Sequence, residues 1–170
     1  MKQLLVLVSV LMLMPLPALA ARSAAGAGDG WRAWDAGLRE AGTAGRPVLV
    51  DVYTDWCGWC RRMERDVYSR QDVREYLAKR FVTIKLDAES DAAASYGGQA
   101  LTERGVASRF NVRGYPTTIF LRANGEHLVN VPGYLPADRF LLLLKYIGEG
   151  AFDRGVRFEE FTRQQSGAAH

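Results

Sequence analysis

Cys57 and Cys60 are the only cysteines in the 170 residues, and they stand two residues apart in Trp56-Cys57-Gly58-Trp59-Cys60. The segment before them, Val48-Leu49-Val50-Asp51-Val52-Tyr53, is apolar apart from one carboxylate. A cysteine pair at a strand-to-helix junction places its first sulfur at a helix N-terminus, where unpaired amides and the helix dipole favour the thiolate. That interaction stabilises a thiolate by about 0.3 to 2 kcal/mol, enough for an attacking pKa near ~7 without a neighbouring cation. Thiol and disulfide chemistry is therefore the leading expectation. Cys57, nearest the helix start, is the expected nucleophile and is expected to be exposed; Cys60 lies one turn further in, shielded, and resolves the mixed disulfide.

Two other uses of such a pair compete with catalysis. Zinc takes about four ligands, and the two histidines, His127 and His170, are both remote from the pair in sequence. No metal site is expected. A purely structural disulfide would make the chain a binding or scaffolding protein. Closing so short a loop constrains the unfolded chain by only about 2 kcal/mol or less, a weak reason to keep it.

The elements that must position the pair follow from periodicity. Trp31, Trp34, Leu38 and Ala41 recur at helical spacing, and Gly42, Gly45 and Pro47 close that helix before a strand over 48–53. This strand is apolar on both faces except at Asp51, as in the centre of a covered sheet. Arg61 to Asp66 continues a helix after the cysteines, and Asp72 caps a further segment carrying Val73, Tyr76 and Leu77. Phe81 to Leu86 alternates as a strand, and 87–98 reads as an acidic, glycine-containing loop before a helix from Thr102 to Phe110. Thr118 to Leu121, the turn Asn124-Gly125 and Leu128 to Val131 form a hairpin, which places His127 on an exposed strand. Pro136 opens a helix over 137–147 that Gly148 ends. A parallel βαβ unit followed by an antiparallel hairpin and a closing helix gives a three-layer α/β domain with a central mixed β-sheet flanked by helices.

Residues 1–20 read as a secretory signal peptide cleaved after Ala20: Lys2, then an apolar stretch from Leu4 to Met14, then Ala18-Leu19-Ala20. The stretch falls short of the roughly 20 residues that span a bilayer, and the mature protein is not expected to span one. Residues 21–30 form a flexible leader, 31–161 the domain and 162–170 a polar tail. Without Lys2 the 22 basic side chains become 21 against 19 acidic ones, interspersed, so neither nucleic acid nor an anionic membrane surface is indicated. Export makes the compartment disulfide-permissive, but one closely spaced pair does not staple a domain of about 150 residues.

With the motifs in this order, the segment from Trp31 to Gly148 resembles an exported, periplasmic protein of thioredoxin fold. The Trp-Cys-X-X-Cys site is matched by Trp56, Cys57, Gly58, Trp59 and Cys60, and the buried acid six positions earlier by Asp51. Lys85 matches the lysine of the following strand, Pro116 with Thr117 the cis-proline and its threonine, and Gly133 the glycine after the hairpin. Tyr53-Thr54-Asp55 and Val131-Pro132-Gly133-Tyr134-Leu135-Pro136 are similar to periplasmic thioredoxins of the SoxW type, and the surroundings of the motif to the C-terminal domain of DsbD.

The resemblance implies a thiol:disulfide oxidoreductase acting on protein or peptide disulfides with no cofactor beyond the Cys57–Cys60 disulfide. Asp51 is the expected proton acceptor for Cys60, through water, with its pKa raised by burial and opposed by Lys85. Trp56, Gly58, Trp59, Tyr115 and Pro116 are the expected substrate-binding residues. The Tyr115 backbone offers an edge on which an extended substrate pairs, and Trp56 is expected to pack. With no histidine between the cysteines, reduction is the expected direction. The chain has no residues for the extra dimerisation domain of a dimeric isomerase, so a monomer is expected. A reductase in an exported compartment implies a DsbD-like or CcdA-like membrane electron donor.

Overall fold

The computed structural model describes residues 30–167. The expected signal peptide, most of the leader and the last three residues lie outside that range. A short strand β1 (Trp31–Arg32) precedes helix α1 (Trp34–Ala44) and strand β2 (Val48–Tyr53). Helix α2 (Gly58–Met63) runs directly into a π-helical turn (Glu64–Tyr68), followed by α3 (Gln71–Arg80) and β3 (Val82–Asp87). A small hairpin, β4 (Ala93–Tyr96) and β5 (Gln99–Thr102), leads into α4 (Glu103–Arg109). The chain closes with β6 (Thr117–Leu121), β7 (His127–Pro132), α5 (Ala137–Gly148) and α6 (Phe158–Gly167).

The main sheet has the order β1-β3-β2-β6-β7, so β2 lies at its centre, as its unbroken apolar character requires. β3 runs parallel to β2 with Asp51 opposite Lys85; β6 runs antiparallel on the other side with Asp51 opposite Thr118. β-strand alternation then sorts the core. Val48, Val50 and Val52 bury against Trp34, Ile84 and Val106 on the face covered by α1 and α4. Leu49 buries on the other face with Met63, Val67, Phe120, Phe140 and Leu144, beneath α2, α3 and α5. Asp51 shares the parity of Leu49, so its carboxylate enters the second layer, toward the helix that carries the cysteines.

Four expectations need correction. Trp31 belongs to β1, paired in parallel with β3 at Thr83, and α1 begins only at Trp34. α1 also runs through Gly42 and stops at Gly45, which has a φ of 63° and whose backbone N–H donates to the Ala41 carbonyl. Within the expected loop over 87–98, β4 pairs with β5 through the turn at Gly97-Gly98 and docks on α1: Trp34 Nε1 donates to the Ser95 carbonyl at 2.7 Å. Most of the expected tail is helical, since α6 continues to Gly167 and anchors by burying Phe161 beside Tyr146.

Candidate active site

Cys57 is the N-cap of α2: its backbone is extended, and its Sγ accepts the Cys60 amide hydrogen at 3.0 Å. The turn before it is closed by the Cys57 amide donating to the Thr54 carbonyl at 3.1 Å. Cys57 and Cys60 form a disulfide with their Cα atoms 5.2 Å apart. Cys57 was expected to be the exposed partner, yet it is 4% exposed and Cys60 8%. The disulfide turns both sulfurs inward over the first helical turn, where the amide hydrogen bond replaces water.

The two flanking tryptophans take up the surface the sulfurs give up. Trp56 was expected to pack; instead it is 64% exposed and Trp59 is 55% exposed. Trp56 is held at its edges: Nε1 donates to Glu89 at 3.0 Å, and the ring meets Tyr115 edge-on at 5.9 Å. Trp59 leans on Tyr134 at 5.6 Å, and the Arg62 guanidinium lies 5.3 Å from one ring and 5.4 Å from the other. The Tyr115–Pro116 peptide bond is cis, Pro116 is buried, and its carbonyl accepts the Gly133 amide at 2.8 Å. Gly58 follows Cys57 at the open start of α2.

β2, β3 and the π-helical turn together hold a buried polar cluster. Asp51 is 2% exposed, with Lys85 Nζ donating to one carboxylate oxygen at 2.6 Å and the Tyr68 hydroxyl to the other at 3.2 Å. Lys85 also donates to Glu64 at 2.6 Å and lies over the rings of Trp31, Tyr53 and Tyr68. It is therefore not the free strand-end charge that lysine usually supplies. Burial pushes the Asp51 carboxyl above the usual carboxylate range, against the opposing pull of Lys85. At Lys85 burial acts downward, but the Asp51 and Glu64 carboxylates outweigh it and hold the ammonium above its ordinary value. Burial, with Asp51 beside it, keeps the Tyr68 phenol protonated well beyond its usual range.

The structure joins Cys57 to Cys60 and Asp51 to Lys85, and sequence reasoning missed Glu64 and Tyr68, which contact the second pair, and Glu89, which holds Trp56. The signal for the first two was available. Glu64 and Tyr68 are four residues apart on the segment after the motif, which puts them on one face of a helical or π-helical turn. Among the described residues no group of three or more His, Cys, Asp or Glu side chains is arranged to hold a metal ion. Nor is any helix there long and apolar enough to cross a membrane.

A cysteine pair closed as a disulfide at a helix N-terminus, in a domain that also buries an acid on the central strand and carries a cis-proline next to the Tyr115 that meets Trp56, defines a thiol-disulfide oxidoreductase of thioredoxin fold. The chain belongs to the thioredoxin-like domain family, whose model matches residues 34–148. It is 37% identical over 112 residues to the thiol:disulfide interchange protein DsbD of Ralstonia nicotianae, covering 65% of this chain and 17% of that protein. The chain thus spans about a sixth of the length of the curated relatives it matches. Among solved structures, a thioredoxin from Thermus thermophilus matches at 28% identity with a TM-score of 0.56, over 69% of this chain and 85% of that one. The oxidised C-terminal domain of DsbD from Neisseria meningitidis shares the fold at 22% identity and a TM-score of 0.50, over 68% and 97% of the two chains.

Proposed function

We propose that this protein is a periplasmic reductase of protein disulfides, working through Cys57 and Cys60. The observation that carries this reading is a disulfide at the N-terminus of α2 in a domain that also buries the Asp51–Lys85 pair, with Asp51 on the sheet face that α2 covers. A structural staple needs no charged group at 2% exposure, a placement that costs stability unless it has a use.

In the reduced protein the Cys57 thiolate attacks one sulfur of a substrate disulfide. A Cys57–substrate disulfide forms and the other substrate sulfur leaves as a thiolate. Cys60 then loses its proton to Asp51 and attacks the Cys57 sulfur, releasing the second substrate thiolate and closing Cys57–Cys60. Two electrons pass to the substrate. Trp56, Trp59 and Tyr115 provide an apolar rim, and the strand-like backbone at Tyr115-Pro116 takes an extended segment alongside Gly58. A membrane dithiol of the DsbD or CcdA kind returns the electrons, and cleavage after Ala20 releases the domain as a monomer. The similarity to DsbD supports the exchange chemistry; the absence of a histidine between the cysteines supports the reducing direction.

The test is Cys60→Ser expressed in its own compartment. Trapped mixed disulfides on Cys57 are expected, and purified reduced wild type cleaves a model protein disulfide while Cys57→Ser does not. A second reading, a binding protein with a structural disulfide, draws on the 4% exposure of Cys57. It would be upheld by equal behaviour of wild type and Cys57→Ser together with an empty trap.

A further inference from the structure

On the basis of the reductase reading, we propose that Tyr68 is a positioning residue of the redox centre: its buried hydroxyl holds the Asp51 carboxylate ionised and aimed for proton transfer from Cys60. The π-helical turn carries that hydroxyl. Its wide ring, closed by the Ser69 amide donating to the Glu64 carbonyl at 3.1 Å, brings both Glu64 and Tyr68 to the Asp51–Lys85 pair. Such turns are frequent at functional sites.

The ring of Tyr68 is fixed from two sides, edge-on to Trp31 at 5.0 Å and to Phe140 at 5.5 Å. Phenylalanine would fill that space equally well, so packing alone does not explain a hydroxyl in a side chain 3% exposed. The hydroxyl finds Asp51 Oδ1, while Lys85 takes Oδ2. Each carboxylate oxygen thus has its own donor, and both donors favour the ionised form. From the remaining sides Asp51 meets Thr118 of β6, which does not titrate, and Glu64 through their shared lysine. Beyond Lys85 stand Tyr53 and, near that ring, Asp55 and Asp87. Because Tyr68 stays protonated far above neutrality, it donates throughout the working range. Trp31, Glu64 and Tyr68 also line a cavity of about 510 Å³, which brings solvent to the far side of the cluster.

The experiment is Tyr68→Phe, which keeps both ring contacts and removes one donor to a charged acceptor. Single-turnover release of substrate from the Cys57 mixed disulfide is followed against pH. The acid limb of the profile is expected to move up by about one pH unit, a roughly tenfold loss of rate on that limb, with the plateau unchanged. Carbon-13 NMR titration of Asp51 in the oxidised protein is expected to move in the same direction. In the Asp51→Asn background Tyr68→Phe is expected to leave the profile in place. A rate lowered equally at every pH, or an unmoved Asp51 titration, would overturn the proposal and make Tyr68 a packing residue. If the wild type fails to cleave protein disulfides, the reductase reading falls, and the NMR titration still decides whether Tyr68 holds Asp51.

Discussion

Replacing Asp51 by asparagine is expected to make the protein more stable and a slower catalyst. Its folded pKa is raised, so between the unfolded value of 3.8 and the folded one the native state binds more protons than the unfolded state. Stability therefore falls as pH rises through that window and stays reduced above it. Asparagine abolishes the penalty, and its amide oxygen still accepts from Tyr68. Lys85 is not stranded, because Glu64 sits at 2.6 Å and the lysine side chain is 29% exposed. The gain above the folded pKa is about 1.4 kcal/mol for each pH unit by which burial raises the folded pKa over the unfolded one. Urea unfolding of the oxidised wild type and variant from pH 4 to 8 should show a difference that opens with rising pH and then levels off. Resolution by Cys60 should slow by about 10² to 10⁴, the usual contribution of a positioned base. A variant less stable than wild type at neutral pH, or equally fast, would identify Asp51 as a satisfied structural carboxylate and refute the reasoning.

Other perturbations have definite signs. Lys85→Met removes the partner of a fully buried carboxylate, and calorimetry should show it destabilising by up to about 3 to 5 kcal/mol at high pH, with the loss shrinking on acidification as Asp51 takes up a proton. Gly37→Ala sets a helix-propensity gain of roughly 0.5 to 1 kcal/mol against overlap. The new methyl would lie 2.3 Å from Ile84 Cγ1, so thermal unfolding should report a net loss on the order of 1 to 3 kcal/mol. Phe140→Ala empties a fully buried site beneath α5 and should cost about 3 to 5 kcal/mol in urea unfolding. Glu89→Ala frees the Trp56 indole from its 3.0 Å tether and should raise KM for a protein disulfide a few-fold, with kcat kept within a factor of two, by about 1 kcal/mol of lost positioning.

The large elements were legible because each rests on a local pattern that burial enforces. β2 reads as central from its two apolar faces, α5 from Pro136 and Gly148, and the β6–β7 hairpin from Asn124-Gly125. What escaped the sequence has little local signal of its own. β1 is two residues long and exists through its pairing with β3, so its tryptophan reads as one more helical position. β4 and β5 carry few β-branched residues; they form where Trp34, Asp35 and Tyr96 supply partners from α1 and the Gly125 turn. α6 is polar along most of its length and is anchored by Phe158 and Phe161 against Tyr146.

At the site the same division holds between residue type and context. The cysteine spacing fixes which sulfurs can bond, and strand register fixes Asp51 beside Lys85. Exposure is set by neither. A disulfide of this spacing folds both sulfurs against the helix start, so Cys57 becomes less exposed than the residue expected to be shielded, while Trp56 gains a surface position through Glu89 and Tyr115. The buried oxidised state has a chemical consequence. Re-reduction needs a donor thiolate to reach Cys57, which is only 4% exposed and is flanked in sequence by the exposed Trp56 and, two residues on, Trp59. A small thiol gains little binding energy from those rings, whereas a protein dithiol that stacks on them does. The ratio of re-reduction rates by a protein dithiol and by a small thiol should therefore fall in Trp59→Ala, and an unchanged ratio would show that the Trp59 ring takes no part in recognising the donor.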